Sequence, residues 1–222
     1  MPPKDLIRRC REAMRTPTLY LLWAAGFDAV EPGPHLHPGR EALVADVLAA
    51  LARKDAQKHA RYLAEAQAAG IDLDGLGPRH MPFCDCSGYV CWALDMPRSP
   101  SASAQAGWVW TGSIYDEGRR PGGGPDFVRI DRDDARLACR PGALLVFPAP
   151  DERTPGHVGI VTEADDDGRP LKLLHCSSLN MLIAPAAGTE RNAIAETGPE
   201  LFLEQLAAAQ PPIAVWPRSL QD

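Results

Sequence analysis

No apolar run in this 222-residue chain approaches the ~20 residues that a membrane-spanning helix needs. The longest candidate, Leu19 to Phe27, is far shorter and carries Tyr20 and Trp23 inside it, so no membrane span is expected. Surplus positive charge is missing too. Lys and Arg number 23 against 29 Asp and Glu, a net charge of -6. Without a basic stripe, binding through phosphate neutralisation is excluded and no nucleic-acid partner is expected. Cysteines are few and irregularly spaced. Cys10, Cys84, Cys86, Cys91, Cys139 and Cys176 do not make a disulfide framework in a chain of this length, and reduced thiols are expected. No internal repeat or low-complexity tract is present. Lys4, Arg8, Arg9, Arg11 and Arg15 precede the Leu19 run, but Asp5 and Glu12 interrupt them and no small-x-small site follows. The sequence therefore predicts no signal peptide and a cytoplasmic site of synthesis; action outside the cell would call for a non-Sec route.

Proline, by contrast, is abundant, at 22 residues, and implies many loops. Leu6, Ile7, Cys10 and Met14 recur at helical spacing and predict a helix over 4–15, ended by Thr16-Pro17. Leu19 to Gly26 reads as a short extended or turn segment. Glu31-Pro32-Gly33-Pro34 and Pro38-Gly39 mark a loop. From Arg40 the pattern is helical: Leu43, Val44, Val47, Leu48 and Leu51 form one stripe, and an alanine-rich helix over 56–69 ends at Gly70. Gly75 to Pro82 reads as a loop leading to a helix that starts at Cys86. A short helix is expected within 108–117, a flexible glycine-rich loop over 119–125, and a helix over 199–209 with Pro199 at its start. The β-prone runs are 143–147, 158–162, 171–175 and 213–216, with Asp165-Asp166-Asp167-Gly168 as a hairpin turn. Helices first and strands after predict an α+β fold. We read it as one domain over 1–222, with a helical insertion at about 31–80.

The chemistry concentrates in Phe83-Cys84-Asp85-Cys86-Ser87-Gly88-Tyr89-Val90. Cys86 stands among small polar residues at a helix start, where the dipole and unpaired N–H groups favour thiolate, the nucleophilic form. Cys84 and Cys91 read as buried small hydrophobes. Gly156-His157-Val158-Gly159 places a histidine at a strand mouth, its flanking glycines implying close backbone approach. His157 is the candidate base, taking the thiol proton or holding an ion pair with the sulfur. His175, across the hairpin, is the candidate orienting group, with Asn180 as its rival. The Ser87 amide and the Tyr20 hydroxyl are candidate oxyanion or substrate contacts. No cofactor is called for. A zinc site is disfavoured because the cysteine spacing fits no ribbon or finger. The same holds for calcium at 165–167, where ligands do not continue at the needed spacing. His35, His37, His59 and His80 read as surface or loop residues.

Together these residues resemble the NlpC/P60 family of papain-like cysteine peptidases. Asp85-Cys86-Ser87-Gly88-Tyr89-Val90 resembles its nucleophile motif. Met96-Pro97-Arg98-Ser99 with Gln105 resembles its Pro-Arg segment, and Arg140-Pro141-Gly142-Ala143-Leu144-Leu145-Val146-Phe147 is similar to its Pro-Gly-Asp strand. Gly156-His157-Val158-Gly159-Ile160 resembles its base motif, and His175 matches its third polar position. Residues 16–26 resemble its Tyr-x-Trp-Gly-Gly entry, with Ala24-Ala25 in place of the glycines and Tyr20 one residue farther from Trp23. Ala143 replaces an acidic residue, and the 31–80 stretch is longer than the usual connection. The resemblance implies a papain-like fold, a nucleophile helix packed on an antiparallel sheet, and hydrolysis of a D-glutamyl–diamino acid amide in a peptidoglycan peptide. On it Cys86, His157 and His175 are catalytic. The rivals are a CHAP-type amidase with Asn180 or an acidic residue orienting the base, a hydrolase of another acyl substrate, a non-catalytic peptide- or partner-binding module, and an exported toxin sharing the chemistry.

Overall fold

Short runs of β-branched and leucine residues between turn signals become the strands of an antiparallel sheet whose central members are buried on both faces. The computed structural model describes residues 1–21, 36–98, 109–130, 137–149, 155–185 and 187–220. The chain divides into two compact units, Met1–Glu12 with Cys86–His175 and Ala195–Asp222, and Ala13–Asp85 with Cys176–Ile194.

The first unit holds β4 (Phe127–Arg129), β5 (Leu144–Phe147), β6 (His157–Ala164), β7 (Pro170–Cys176), β8 (Ile194–Thr197) and β9 (Ile213–Pro217). They form one sheet in the order β4-β9-β5-β6-β7-β8. All four residues of β5 and all five of β9 are buried, the pattern of a strand covered on both faces rather than an alternating one. Register fixes the faces. Val146 pairs with Val158 and Ile213, and Leu144 with Ile160 and Val215, so these residues share one face. Leu145, Phe147, His157 and Gly159 share the other. Three helices pack on the sheet: α5 (Cys86–Ala93) against β6, α6 (Thr111–Arg119) against β4, β5 and β9, and α7 (Glu200–Leu203) against β5. Gly118 of α6 permits a close approach, since a Cβ there would lie 2.5 Å from Val215 Cγ1. Helix α5 is apolar almost all round and correspondingly buried.

The hairpin between β6 and β7 forms at the expected turn, with Gly168 at φ +79° and its N–H bonded to the Asp165 carbonyl. The first helix, α1 (Pro3–Ala13), buries Leu6, Ile7 and Cys10, but Met14 falls beyond its end and stays exposed. Burial pushes the Cys10 thiol up to about 12. Two expectations need correction. The helix over 199–209 is a single turn, α7, followed by turns. The glycine-rich 119–125 loop is held in place: Arg218 donates to the Gly122 and Gly124 carbonyls at 2.8 and 2.7 Å, and the buried Glu117 carboxylate accepts from Asp126 N.

The second unit contains the insertion. Helices α2 (Val44–Lys54) and α3 (Ala56–Ala68) fall in it as the periodicity predicts, and a single turn, α4 (Leu73–Leu76), follows where the sequence predicts no helix. Asp55 and Asp72 cap α3 and α4, accepting from Lys58 N and Gly75 N at 2.9 Å. Gly70 closes α3 at φ +68°, with Ile71 N bonded to the Ala66 carbonyl and Gly70 N to that of Gln67, a Schellman stop. The insertion is not wholly helical, however. β2 (Glu41–Leu43) and β3 (His80–Cys84) bracket it, and β3 is the centre of a three-stranded sheet, with β1 (Leu19–Tyr20) parallel on its other side. Pro82 in that central strand is why the segment reads as a loop, because proline removes a ladder donor.

Candidate functional site

The sheet face bearing His157 and His175 brings these two candidate residues together. Ile160 pairs with Leu174, so the next pair sets Gly159 opposite His175, and His157 sits diagonally across from it. The two rings nonetheless touch: His157 Nε2 lies 2.8 Å from His175 Nδ1, with the ring planes at 84°. Gly159 makes this possible. A Cβ on it would stand 3.2 Å from Leu173 Cδ2 and Phe202 Cζ and 3.3 Å from His175 Cβ, so the space a side chain would fill is taken by its neighbours. Gly156 answers to a tighter constraint, because a Cβ there would lie 2.6 Å from the backbone at Pro148 and Ala149 and from Thr111 Oγ1. Both flanking glycines are thus required by close approach.

Apolar rings enclose the pair. Phe202 of α7 lies 5.4 Å from the His157 ring centroid and 6.3 Å from that of His175, and Phe147, the cross-strand partner of His157, is 6.3 Å away. Burial penalises the imidazolium form. Burial, with the adjacent His175 ring, holds His157 well below the ordinary imidazole range. Burial alone takes His175 down to about 4. Both rings are therefore neutral near neutral pH, and a neutral imidazole accepts a proton. On its far side His175 Nε2 lies 2.8 Å from Thr197 Oγ1, and the Thr197 hydroxyl donates to the Gly198 carbonyl at 3.0 Å.

Cys86 is the first residue of α5 and 4% exposed. Its helix packs on β6, the strand that His157 opens. Ser87 follows in the first turn, where helix geometry supplies no i−4 acceptor for an N–H. Its hydroxyl accepts from the buried Arg98 guanidinium at 3.0 Å. A positive charge so close to the helix start favours an anion there.

The remaining candidates lie in the second unit or outside the described residues. Tyr20, at the end of β1, lines a pocket of about 250 Å³ with Leu19, Tyr62, Ala66, Met181 and Leu182. Burial pushes the Tyr62 phenol above its ordinary value. Asn180 is buried and donates to the Ala193 carbonyl at 2.9 Å, while the ring bonded to His157 is that of His175. His37 Nδ1 accepts from Gly39 N in a local turn. Trp23, Ala24, Ala25, His35, Gln105 and Trp108 lie outside the described residues.

Sequence reasoning missed Thr197 and Phe202. Neither stands in a recognisable motif, and the signal for each is spatial: Thr197 ends the strand beside β7, and Phe202 projects from a one-turn helix. All six cysteines are buried and none is in a disulfide. Among the described residues no group of three or more His, Cys, Asp or Glu could hold a metal ion, and no helix is long and apolar enough to cross a membrane. No family profile, curated protein or solved structure matches this chain.

Proposed function

We propose that the chain is a cysteine hydrolase of NlpC/P60 type, with a papain-like arrangement of nucleophile helix and sheet, acting on an amide bond of a peptidoglycan peptide. The observation that carries the reading is the buried 2.8 Å contact between His157, on the strand against which the Cys86 helix packs, and His175 on the neighbouring strand. Cys86 is the nucleophile, His157 the base and then the acid, and His175 the group that orients it.

The steps balance as acyl transfer. The Cys86 sulfur bonds to the amide carbonyl carbon as its proton passes to His157, and the Ser87 N–H stabilises the developing oxyanion. His157 returns the proton to the amide nitrogen, the C–N bond breaks, and an amine leaves a thioester behind. Water attacks the thioester with His157 again as base, releasing a carboxylic acid and restoring the thiol. Because both imidazoles are neutral, His157 serves as a general base toward the thiol. The D-glutamyl–diamino acid bond is the expected substrate, from the family resemblance.

The test is digestion of purified muropeptides followed by mass spectrometry. New fragments differing by one water at a single peptide bond, absent with Cys86→Ala, support the reading. Intact muropeptides alongside rapid, selective alkylation of Cys86 would redirect it to another acyl substrate, and intact muropeptides with no selective alkylation would overturn it.

A further inference from the structure

Resting on the hydrolase reading, we propose that Thr197 is a positioning residue that fixes the tautomer of both histidines through a one-way chain of hydrogen bonds. The chain starts at a backbone carbonyl, which can only accept. The Gly198 carbonyl takes the Thr197 hydroxyl proton at 3.0 Å. A hydroxyl has one proton, so toward His175 the Thr197 oxygen can only accept. The 2.8 Å contact with His175 Nε2 is then an Nε2–H donating to Thr197. A neutral imidazole carries one N–H, so His175 Nδ1 holds a lone pair. The 2.8 Å contact to His157 is accordingly His157 Nε2–H donating to that lone pair. His157 Nδ1 is left unprotonated, the form a base must have. The opposite direction would leave the Gly198 carbonyl without its donor and place the His157 proton on Nδ1, where it blocks proton acceptance. Thr197 thus does for His175 what His175 does for His157.

Long-range 1H–15N NMR of the histidine rings in the whole protein tests this directly. Both rings should show the Nε2-protonated pattern in the native protein, and an Nδ1-protonated His157 or His175 would overturn the proposal without further variants. Thr197→Val keeps the shape and removes both the acceptor and the donor; it should shift or mix the tautomers, while Thr197→Ser restores them. Alkylation of Cys86 by iodoacetamide should slow about tenfold or more in Thr197→Val and recover in Thr197→Ser. Native ring signals in Thr197→Val would refute the role of the hydroxyl. Failure of the hydrolase reading looks different: alkylation of Cys86 would then be insensitive to His157→Ala, whatever the tautomers show.

Discussion

Acid should destabilise this protein through its paired histidines, and the size of the effect follows from their burial. His175 titrates at about 4 when folded, against 6.5 as an ordinary imidazole. The folded state therefore binds fewer protons than the unfolded state between those values, and stability rises with pH across that window. The contribution is fully present above pH 6.5 and is lost as the pH falls toward 4, a difference of about 3 kcal/mol for His175 alone. His157 shifts in the same direction and adds to it. The carboxylates also titrate below about pH 5, so the histidine share is isolated by comparison with His175→Asn, which retains hydrogen-bonding groups and does not titrate. Urea unfolding of both proteins at about pH 7, 5.5 and 4.5 gives the two slopes. The native protein should lose roughly 2–3 kcal/mol more than the variant between about pH 7 and 4.5. Equal losses would refute the claim that burial keeps this ring neutral.

Other outcomes follow from the same geometry. Gly159→Ala should cost about 1–2 kcal/mol in urea unfolding, because its neighbours at 3.2–3.3 Å must give way, and should perturb the His175 ring signals. Gly156→Ala should cost more, roughly 3 kcal/mol, since its obstacles at 2.6 Å include the backbone of Pro148 and Ala149. The acid limb of kcat/KM should lie well below pH 6.5, because burial of His157 keeps the base neutral to lower pH than an ordinary imidazole. Burial raises the Glu117 carboxyl above its ordinary value, so the folded state holds that proton more tightly and its contribution weakens as the pH rises through the folded value. Glu117→Gln should therefore gain stability relative to the native protein as the pH rises above the ordinary glutamate range, measured by thermal or urea unfolding.

The strands that carry the site were legible because their runs are strongly β-prone and separated by unmistakable turns. The 165–168 turn fixes the hairpin and so brings positions 157 and 175 near one another. The diagonal geometry was less accessible: it depends on the register, in which Glu163 pairs with Lys172 and Ala164 with Pro170 across an irregularity in the ladder. The helix start at Cys86 was readable from Asp85-Cys86-Ser87-Gly88 and the apolar run behind it. β2 and β3 escaped because three residues carry no period and Pro82 argues against a central strand. The helix expected over 199–209 stops after one turn although its alanines favour helix, and nothing in the structure explains that stop. Thr197 and Phe202 were illegible because their roles come from partners distant in the chain, and a lone Thr or Phe has no spacing to read.

The most direct measurement is the alkylation rate of each cysteine by iodoacetamide at about pH 6, where ordinary thiols are almost wholly protonated, resolved by peptide mass spectrometry in the native protein and in His157→Ala. All six cysteines are buried, so exposure does not single out Cys86; it should nonetheless react far faster than the other five, and His157→Ala should remove most of that advantage. A Cys86 that reacts no faster than Cys84 or Cys91, or whose rate ignores the loss of His157, would contradict the pairing of thiol and imidazole on which the hydrolase account depends.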